Sequence, residues 1–158
     1  AELVEAAEDA LKGQEVIEEK HIMDRFFKEL VKDNGLAAYG EQSIRANLEI
    51  GAVDTLLLSD KLRKNRLSIR CDACGFTEEK TVQIRPGENP EDIDLGNCPR
   101  CTSPLVLADS ADIVDDLTYL ADQSSSKVAI ISDDFEEGSQ LFTAFGGIAA
   151  ILRYRTGY

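Results

Sequence analysis

The sequence contains no run of about 18 apolar residues, so no membrane-spanning helix is expected. It begins Ala-Glu-Leu-Val-Glu, with neither a basic stretch nor an apolar core behind it, so no secretory signal is read at this end. An initiator Met is also missing, and the sequence is therefore expected to be a piece of a longer protein. Positive charge is scarce: 17 Lys and Arg stand against 30 Asp and Glu, a formal net charge of −13. Phosphate-led nucleic-acid binding draws its affinity from Lys and Arg, so strong binding to free nucleic acid is not expected. The balance suits a soluble protein that meets a protein partner, and equally a chain whose excess Glu keeps its helix faces solvated. Cysteine is absent outside two Cys-x-x-Cys pairs, which points to metal and a reducing cytoplasm rather than to disulfides. Histidine occurs once, as His21 among Glu and Lys, and reads as a solvated side chain. A Walker-type phosphate loop is missing, and no His is placed to serve a Cys or Ser nucleophile. The carboxylates Asp109, Asp112, Asp115 and Asp116 gather at a helix start, where they offset the helix dipole. No enzyme chemistry is expected; a zinc-dependent hydrolase is the rival class.

What is present is an alternation of helices and apolar strands. Ala1 to Lys12 reads as a short helix with Leu3, Val4, Ala7 and Leu11 on one side, the end of a connector from a preceding domain. Gly13 interrupts it. Gln14 to Lys32 reads as a longer helix closed by Asn34-Gly35. At about 100° per residue its apolar residues, Ile22, Phe26, Leu30, Met23, Val16, Phe27, Val31 and Ile17, cover roughly 220° of arc. That is wider than one core-facing stripe requires. Either a partner or a second element of the chain covers the surplus. Glu41 to Ile50 follows as a helix with Ile44 and Leu48 facing in, and Val53 to Leu58 as a strand apolar enough to be buried on both faces. After a change of character from Lys61 to about Ser110, the rhythm resumes. Ile113 to Ser124 is a helix and Lys127 to Ser132 a buried strand. Asp133-x-x-Glu136 reads as a capping box for the last helix. Gly146-Gly147 turns that helix into the final strand, Ile148 to Leu152. The pattern predicts a three-layer α/β/α sandwich, residues 13–60 and 111–158, around a small, mostly parallel sheet.

The intervening segment, residues 61–110, carries short β-like runs at Leu67 to Arg70 and Thr81 to Ile84, and the turn-rich Arg85-Pro-Gly-Glu-Asn-Pro90. It also carries Cys71-Asp-Ala-Cys74-Gly75 and Cys98-Pro-Arg-Cys101, separated by 23 residues. Two such turns present four thiolates that can close a tetrahedron around Zn²⁺, leaving no open position. The site is therefore expected to be structural, in a zinc-ribbon-like minidomain. About 50 residues have too little core to fold well alone, and metal binding supplies folding free energy on the order of 10 kcal/mol. Redox pairs and iron–sulfur ligation are the alternatives. The basic run Lys61-Leu-Arg63-Lys64-Asn-Arg66, with Arg70, is either a contact to a polyanion or a solvated linker into the insert. No aromatic residues interleave with it as stacking platforms.

The stretch Gly138-Ser-Gln-Leu-Phe-Thr-Ala-Phe-Gly-Gly-Ile-Ala-Ala-Ile-Leu-Arg-Tyr-Arg155 resembles the C-terminal end of the archaeal and eukaryotic class I peptide chain release factors. The resemblance returns at Tyr39-Gly40 and along Ala46 to Asp54. Pelota, a related ribosome-rescue factor, ends similarly, but Arg153-Tyr154-Arg155 and the insertion favour the release factor, and the four cysteines its archaeal branch. Gly146-Gly147 is followed by Ile148 and not Gln, so the peptide-releasing motif of the family's second domain is absent, as is the codon-reading motif of the first. The resemblance implies the third domain, a docking module for a translational GTPase of the elongation factor 1-alpha type and for the ABC-type recycling ATPase. It also implies a fold shared with kink-turn RNA-binding ribosomal proteins. The expected GTPase-facing residues are Ile22 and Phe26 on the long helix and Leu141 and Phe142 on the last.

Overall fold

The computed structural model describes the backbone of residues 2–158 and the side chains of residues 13–158; the expected side-chain stripe of Leu3, Val4, Ala7 and Leu11 lies outside the described residues. The chain divides into two compact units. Ala1–Leu62 with Thr118–Tyr158 forms one, and Arg63–Leu117 the other.

The first unit is built on a four-stranded sheet of β1 (Ala37–Tyr39), β2 (Val53–Ser59), β6 (Lys127–Ile131) and β7 (Ile148–Leu152). The strand order is β1-β7-β2-β6. Its helices are α1 (Glu2–Leu30), α2 (Glu41–Glu49) and α4 (Glu136–Phe145). One face of the sheet is a single buried cluster: Met23 and Phe26 of α1, Leu141 of α4, and Leu57, Ile131, Ala149 and Ile151 from the strands. The alternating residues Leu56, Leu58, Ile148, Ala150 and Leu152 point the other way and are buried too. Helix α2, which packs on β1, β2 and β7, buries Ile44 and Leu48. An apolar run that is buried on both faces is what β2 and β7 needed.

The sheet is not mostly parallel. Only β2 and β6 run parallel. Strand β7 is antiparallel to β2 on one side and to β1 on the other. Helix–strand alternation suggested parallel crossovers, but the connection through α4 carries the chain past β2 and returns it in the opposite direction.

Three local expectations are also corrected. Gly13 does not break the first helix, which runs from Glu2 to Leu30 without interruption. A glycine inside a helix costs about 1 kcal/mol relative to Ala, too little to end it. The expected capping box does not form: Phe135 is the N-cap of α4, without a side-chain cap bond. Asp133 is engaged instead by Lys61 Nζ at 2.7 Å. Finally, the Gly-Gly turn has a division of labour. Gly146, φ 71°, ends α4 in the left-handed conformation. At Gly147, φ 82°, the Gly147 N–H donates to the Leu141 carbonyl at 2.9 Å, and an added Cβ would lie 2.8 Å from Leu62 Cδ2.

Arg153-Tyr154-Arg155, just past β7, fastens the tail. The Arg153 guanidinium donates to the Gly51, Ser124 and Ser125 carbonyls, and the Tyr154 hydroxyl to the Ile50 carbonyl. Arg155 donates to the Asn34 side chain. Thr156 donates to buried Asn47.

The second unit holds a three-stranded antiparallel sheet, order β4-β3-β5, of β3 (Lys64–Arg70), β4 (Thr77–Gln83) and β5 (Val106–Asp112). Strand β5, Val-Leu-Ala-Asp-Ser-Ala-Asp, is mixed in polarity and is not expected from the sequence. The basic run is no linker: Lys64 to Arg70 is the central strand. Arg66 lies 3.6 Å from Glu79, and Arg70 2.8 Å from Asp72. Helix α3 (Ile113–Gln123) begins in this unit, where Asp112 Oδ1 accepts the Val114 N–H. No helix among the described residues is long and apolar enough to cross a membrane.

Candidate metal centre

The four cysteines sit on two backbone turns of the same construction. In the first, the Cys71 N–H donates to the Phe76 carbonyl at 2.7 Å, and the Gly75 N–H returns to the Cys71 carbonyl at 2.9 Å. In the second, the Cys98 N–H donates to the Ser103 carbonyl at 2.8 Å, and the Thr102 N–H to the Cys98 carbonyl at 2.9 Å. The spacing is the same in both, residue i to i+5 and i+4 back to i. The residue at i+4 has positive φ in each, 78° at Gly75 and 64° at Thr102. The first turn follows directly on β3, which fixes Cys71. The second is clasped by an Asn97–Pro104 bridge. Across the gap the Arg100 guanidinium lies over the Phe76 ring at 5.4 Å, tying one turn to the other.

The turns aim their sulfurs at one point. All four Sγ atoms lie within 4.8 Å of one another. Cys71 and Cys101 are 3.4 Å apart, and Cys74 and Cys98 3.5 Å. A tetrahedron with metal–sulfur bonds of about 2.3 Å has sulfur–sulfur edges of about 3.8 Å, so the cluster fits a tetrathiolate ion with little adjustment. The Arg100 N–H also donates to Cys98 Sγ at 3.4 Å, a contact that supports a thiolate. Cys71 and Cys98 are buried, Cys101 is half-buried and Cys74 exposed. Hydrogen bonds from the Ser103 side chain and backbone, with one from Cys71, pull the Cys101 thiol down to about 6. Cys74 goes the other way, to about 12: the Phe76 backbone lowers it, but desolvation and the neighbouring thiols Cys98, Cys101 and Cys71 outweigh that. Four sulfurs this close do not ionise independently, and a cation is what lets all of them be thiolates at once. No other group of three or more His, Cys, Asp or Glu among the described residues comes close enough to share an ion.

The expected partner-facing residues are split by the structure. Phe26 and Leu141 are fully buried in the main cluster, so they offer no surface and are core residues. Ile22 is half-buried against the same cluster. Phe142 is 37% exposed. The surplus arc of α1 is largely covered by the chain itself: Phe26 and Phe27 meet Phe145 of α4 at 5.3 and 6.0 Å, and Tyr39 closes on Phe145 at 5.2 Å. Only Ile17 and Val31, at the edge of that arc, stay exposed.

Comparison with known proteins places these features in one family. Residues 16–156 match the family described as eRF1 domain 3. The chain is 48% identical over 157 residues to peptide chain release factor subunit 1-2 of Methanosarcina acetivorans, covering 99% of this chain and 37% of that protein. It thus spans well under half the length of the curated relatives it matches. Among solved structures, the C-terminal domain of the peptide chain release factor from Methanosarcina mazei aligns at TM-score 0.88 and 50% identity, covering 99% of this chain and 94% of that one. A model of ribosome-bound archaeal Pelota and ABCE1 aligns at TM-score 0.53 and 24% identity, covering 91% of this chain and 28% of that one, a likeness of fold alone. With its tail motif and its matched turns accounted for, the chain belongs to the eRF1 domain 3 family, as the C-terminal domain of an archaeal-type peptide chain release factor.

Proposed function

We propose that this chain is a docking module of translation termination with no chemistry of its own. It binds a translational GTPase of the elongation factor 1-alpha type and the ABC-type recycling ATPase, in the cytoplasm and on the ribosome as part of the longer protein. The observation that carries this reading is the near-complete match to a release factor C-terminal domain. The Pelota neighbour, whose structure includes ABCE1, supports the ATPase as a partner. In this reading the unit of Ala1–Leu62 and Thr118–Tyr158 is a layered α/β sandwich and the unit of Arg63–Leu117 a zinc-ribbon-like minidomain, larger than the expected 61–110 because β5 runs to Asp112. The four thiolates hold Zn²⁺ structurally: a closed tetrathiolate leaves no site for a substrate or activated water. The GTPase-facing surface is drawn around Phe142 and the exposed flank of Ile22.

The test is capture of the elongation factor, loaded with GTP or GDP, by this chain. Nucleotide-dependent capture that Phe142→Ala weakens supports the proposal. No capture in either state, alongside a shift of kink-turn RNA at physiological salt, would overturn it in favour of an RNA-binding module. A metal ion with an exchangeable water would revive the hydrolase.

A further inference from the structure

The four sulfurs are close but not equivalent. Two close sulfur pairs run between the turns, Cys71 to Cys101 at 3.4 Å and Cys74 to Cys98 at 3.5 Å. Exposure is uneven as well: Cys74 faces solvent, while its short-range partner Cys98 is buried. With an ion bound all four sulfurs are thiolates, so exposure decides the order: an oxidant arriving from solution meets Cys74 first, and Cys98 on the other turn lies 3.5 Å away to resolve the product.

We infer that this cluster responds to peroxide, and that it closes as two disulfides joining the turns, Cys74–Cys98 first and Cys71–Cys101 second, expelling the metal while keeping the turns stapled together. The Cys74 thiolate attacks one peroxide oxygen; the O–O bond breaks, a sulfenic acid forms and the other oxygen leaves as water after taking a proton. The Cys98 thiolate then attacks the sulfenic sulfur, the S–S bond forms, and the hydroxyl leaves as a second water. Two sulfurs have lost two electrons in all, and one peroxide has been reduced. A second peroxide does the same at Cys101 and Cys71. For the metal-bound cluster, two peroxides and four protons yield two disulfides, one divalent ion and four waters. Bridges between the turns close long loops and so still constrain the unfolded chain. Bridges within each turn would leave the two turns unconnected.

Release of zinc rests on the proposed zinc reading; the pairing rests on the sulfur positions alone. The experiment separates them. Zinc content of the reduced chain is measured first. Hydrogen peroxide is then titrated in while a metallochromic indicator follows release, remaining thiols are alkylated, and a non-reducing tryptic digest is read by mass spectrometry. Cys71 and Cys74 share one peptide, while cleavage after Arg100 parts Cys98 from Cys101. The expected sequence is a two-peptide species linking the Cys74 peptide to the Cys98 peptide, with one zinc released per chain, followed by a three-peptide species. Fragmentation between Cys71 and Cys74 assigns the sulfurs, and a Cys71→Ser, Cys101→Ser chain should still form Cys74–Cys98. Bridges within the turns, overoxidised cysteines without bridges, or thiols no more reactive than buried ones would each overturn the inference. Bridging between the turns in a chain that held no zinc at the outset would uphold the pairing and overturn both the metal release and the zinc reading.

Discussion

Thr102 stands in the second cysteine turn where Gly75 stands in the first. Both donate to the carbonyl of the leading cysteine, and both have left-handed backbone, φ 64° and 78°. For a side-chain-bearing residue that conformation costs about 1–2 kcal/mol, and a β-branched one fits it worst. Gly75→Ala is therefore expected to destabilise the metal-loaded second unit by about 1–2 kcal/mol. Thr102→Gly should stabilise it by about 0.5–1 kcal/mol, the relief being partly offset by the greater freedom of glycine in the unfolded chain. Thermal melts of the metal-loaded chain, with a chelator competition for metal affinity, read both.

Phe26 and Phe142 looked alike in sequence and should behave differently. Phe26→Ala empties a filled site between α1, α4 and the sheet and is expected to cost about 3–5 kcal/mol. Phe142→Ala removes a side chain 37% exposed and should cost less, about 1–2 kcal/mol. Urea denaturation distinguishes them, and it certifies Phe142→Ala as folded before its capture of the GTPase is measured.

The paired glycines at the end of α4 are also unequal. Gly146→Ala meets no atom within 4 Å, so it should cost only its backbone strain, about 1–2 kcal/mol. Gly147→Ala adds a 2.8 Å approach to Leu62 and a 3.2 Å approach to Ser59, and should cost about 2–4 kcal/mol. Chemical denaturation of the two variants side by side gives the difference.

Two carboxylates on α1 respond to acid in opposite senses. Glu29 accepts from Lys32 Nζ at 2.9 Å and from the Leu36 N–H at 3.1 Å, and these bonds hold its carboxyl below the ordinary 4.5. Its stabilising contribution is present above the unfolded value and is lost as pH falls through the lower folded one. Desolvation holds Glu19 above 4.5, despite the hydrogen bond from the Ser132 N–H, with Asp60, Glu15 and Asp134 adding to the rise. Its ionisation therefore works against folding above that range, and the penalty is relieved on acidification. Urea midpoints between pH 3 and 7 should show Glu29→Gln losing ground at neutral pH and converging with the parent in acid. Glu19→Gln keeps a carbonyl oxygen to accept the Ser132 N–H and should gain stability at neutral pH, the gain shrinking as the pH falls.

The elements legible in the sequence were those whose signal is local. The runs at Val53 and Ile148 are apolar enough to be buried strands in any fold, and the two Cys-x-x-Cys turns carry their own geometry. The run at Lys127 is a strand but not the buried one expected, because it lies at the sheet edge with only Ile131 buried and Ile130 44% exposed. Strand β1 was missed because Ala37–Tyr39 is too short for periodicity. Strand β5 was missed because Val-Leu-Ala-Asp-Ser-Ala-Asp sits half-exposed at a sheet edge and has little alternation to show. The direction of β7 depends on which side of β2 the chain returns to, which no window of residues encodes. The surface on α1 was misjudged for a related reason. A wide apolar arc says that much must be covered, and Phe145, more than a hundred residues away, did the covering.

Strand β7 follows every other element in chain order, yet it lies between β1 and β2. Ribosomal synthesis therefore releases β1, β2 and β6 before the piece that joins the first of them to the rest. Until Leu152 has cleared the exit tunnel, the apolar strand Val53–Ser59 has only β6 beside it and its other edge stays open, so the sheet of this domain closes only after its last strand is made.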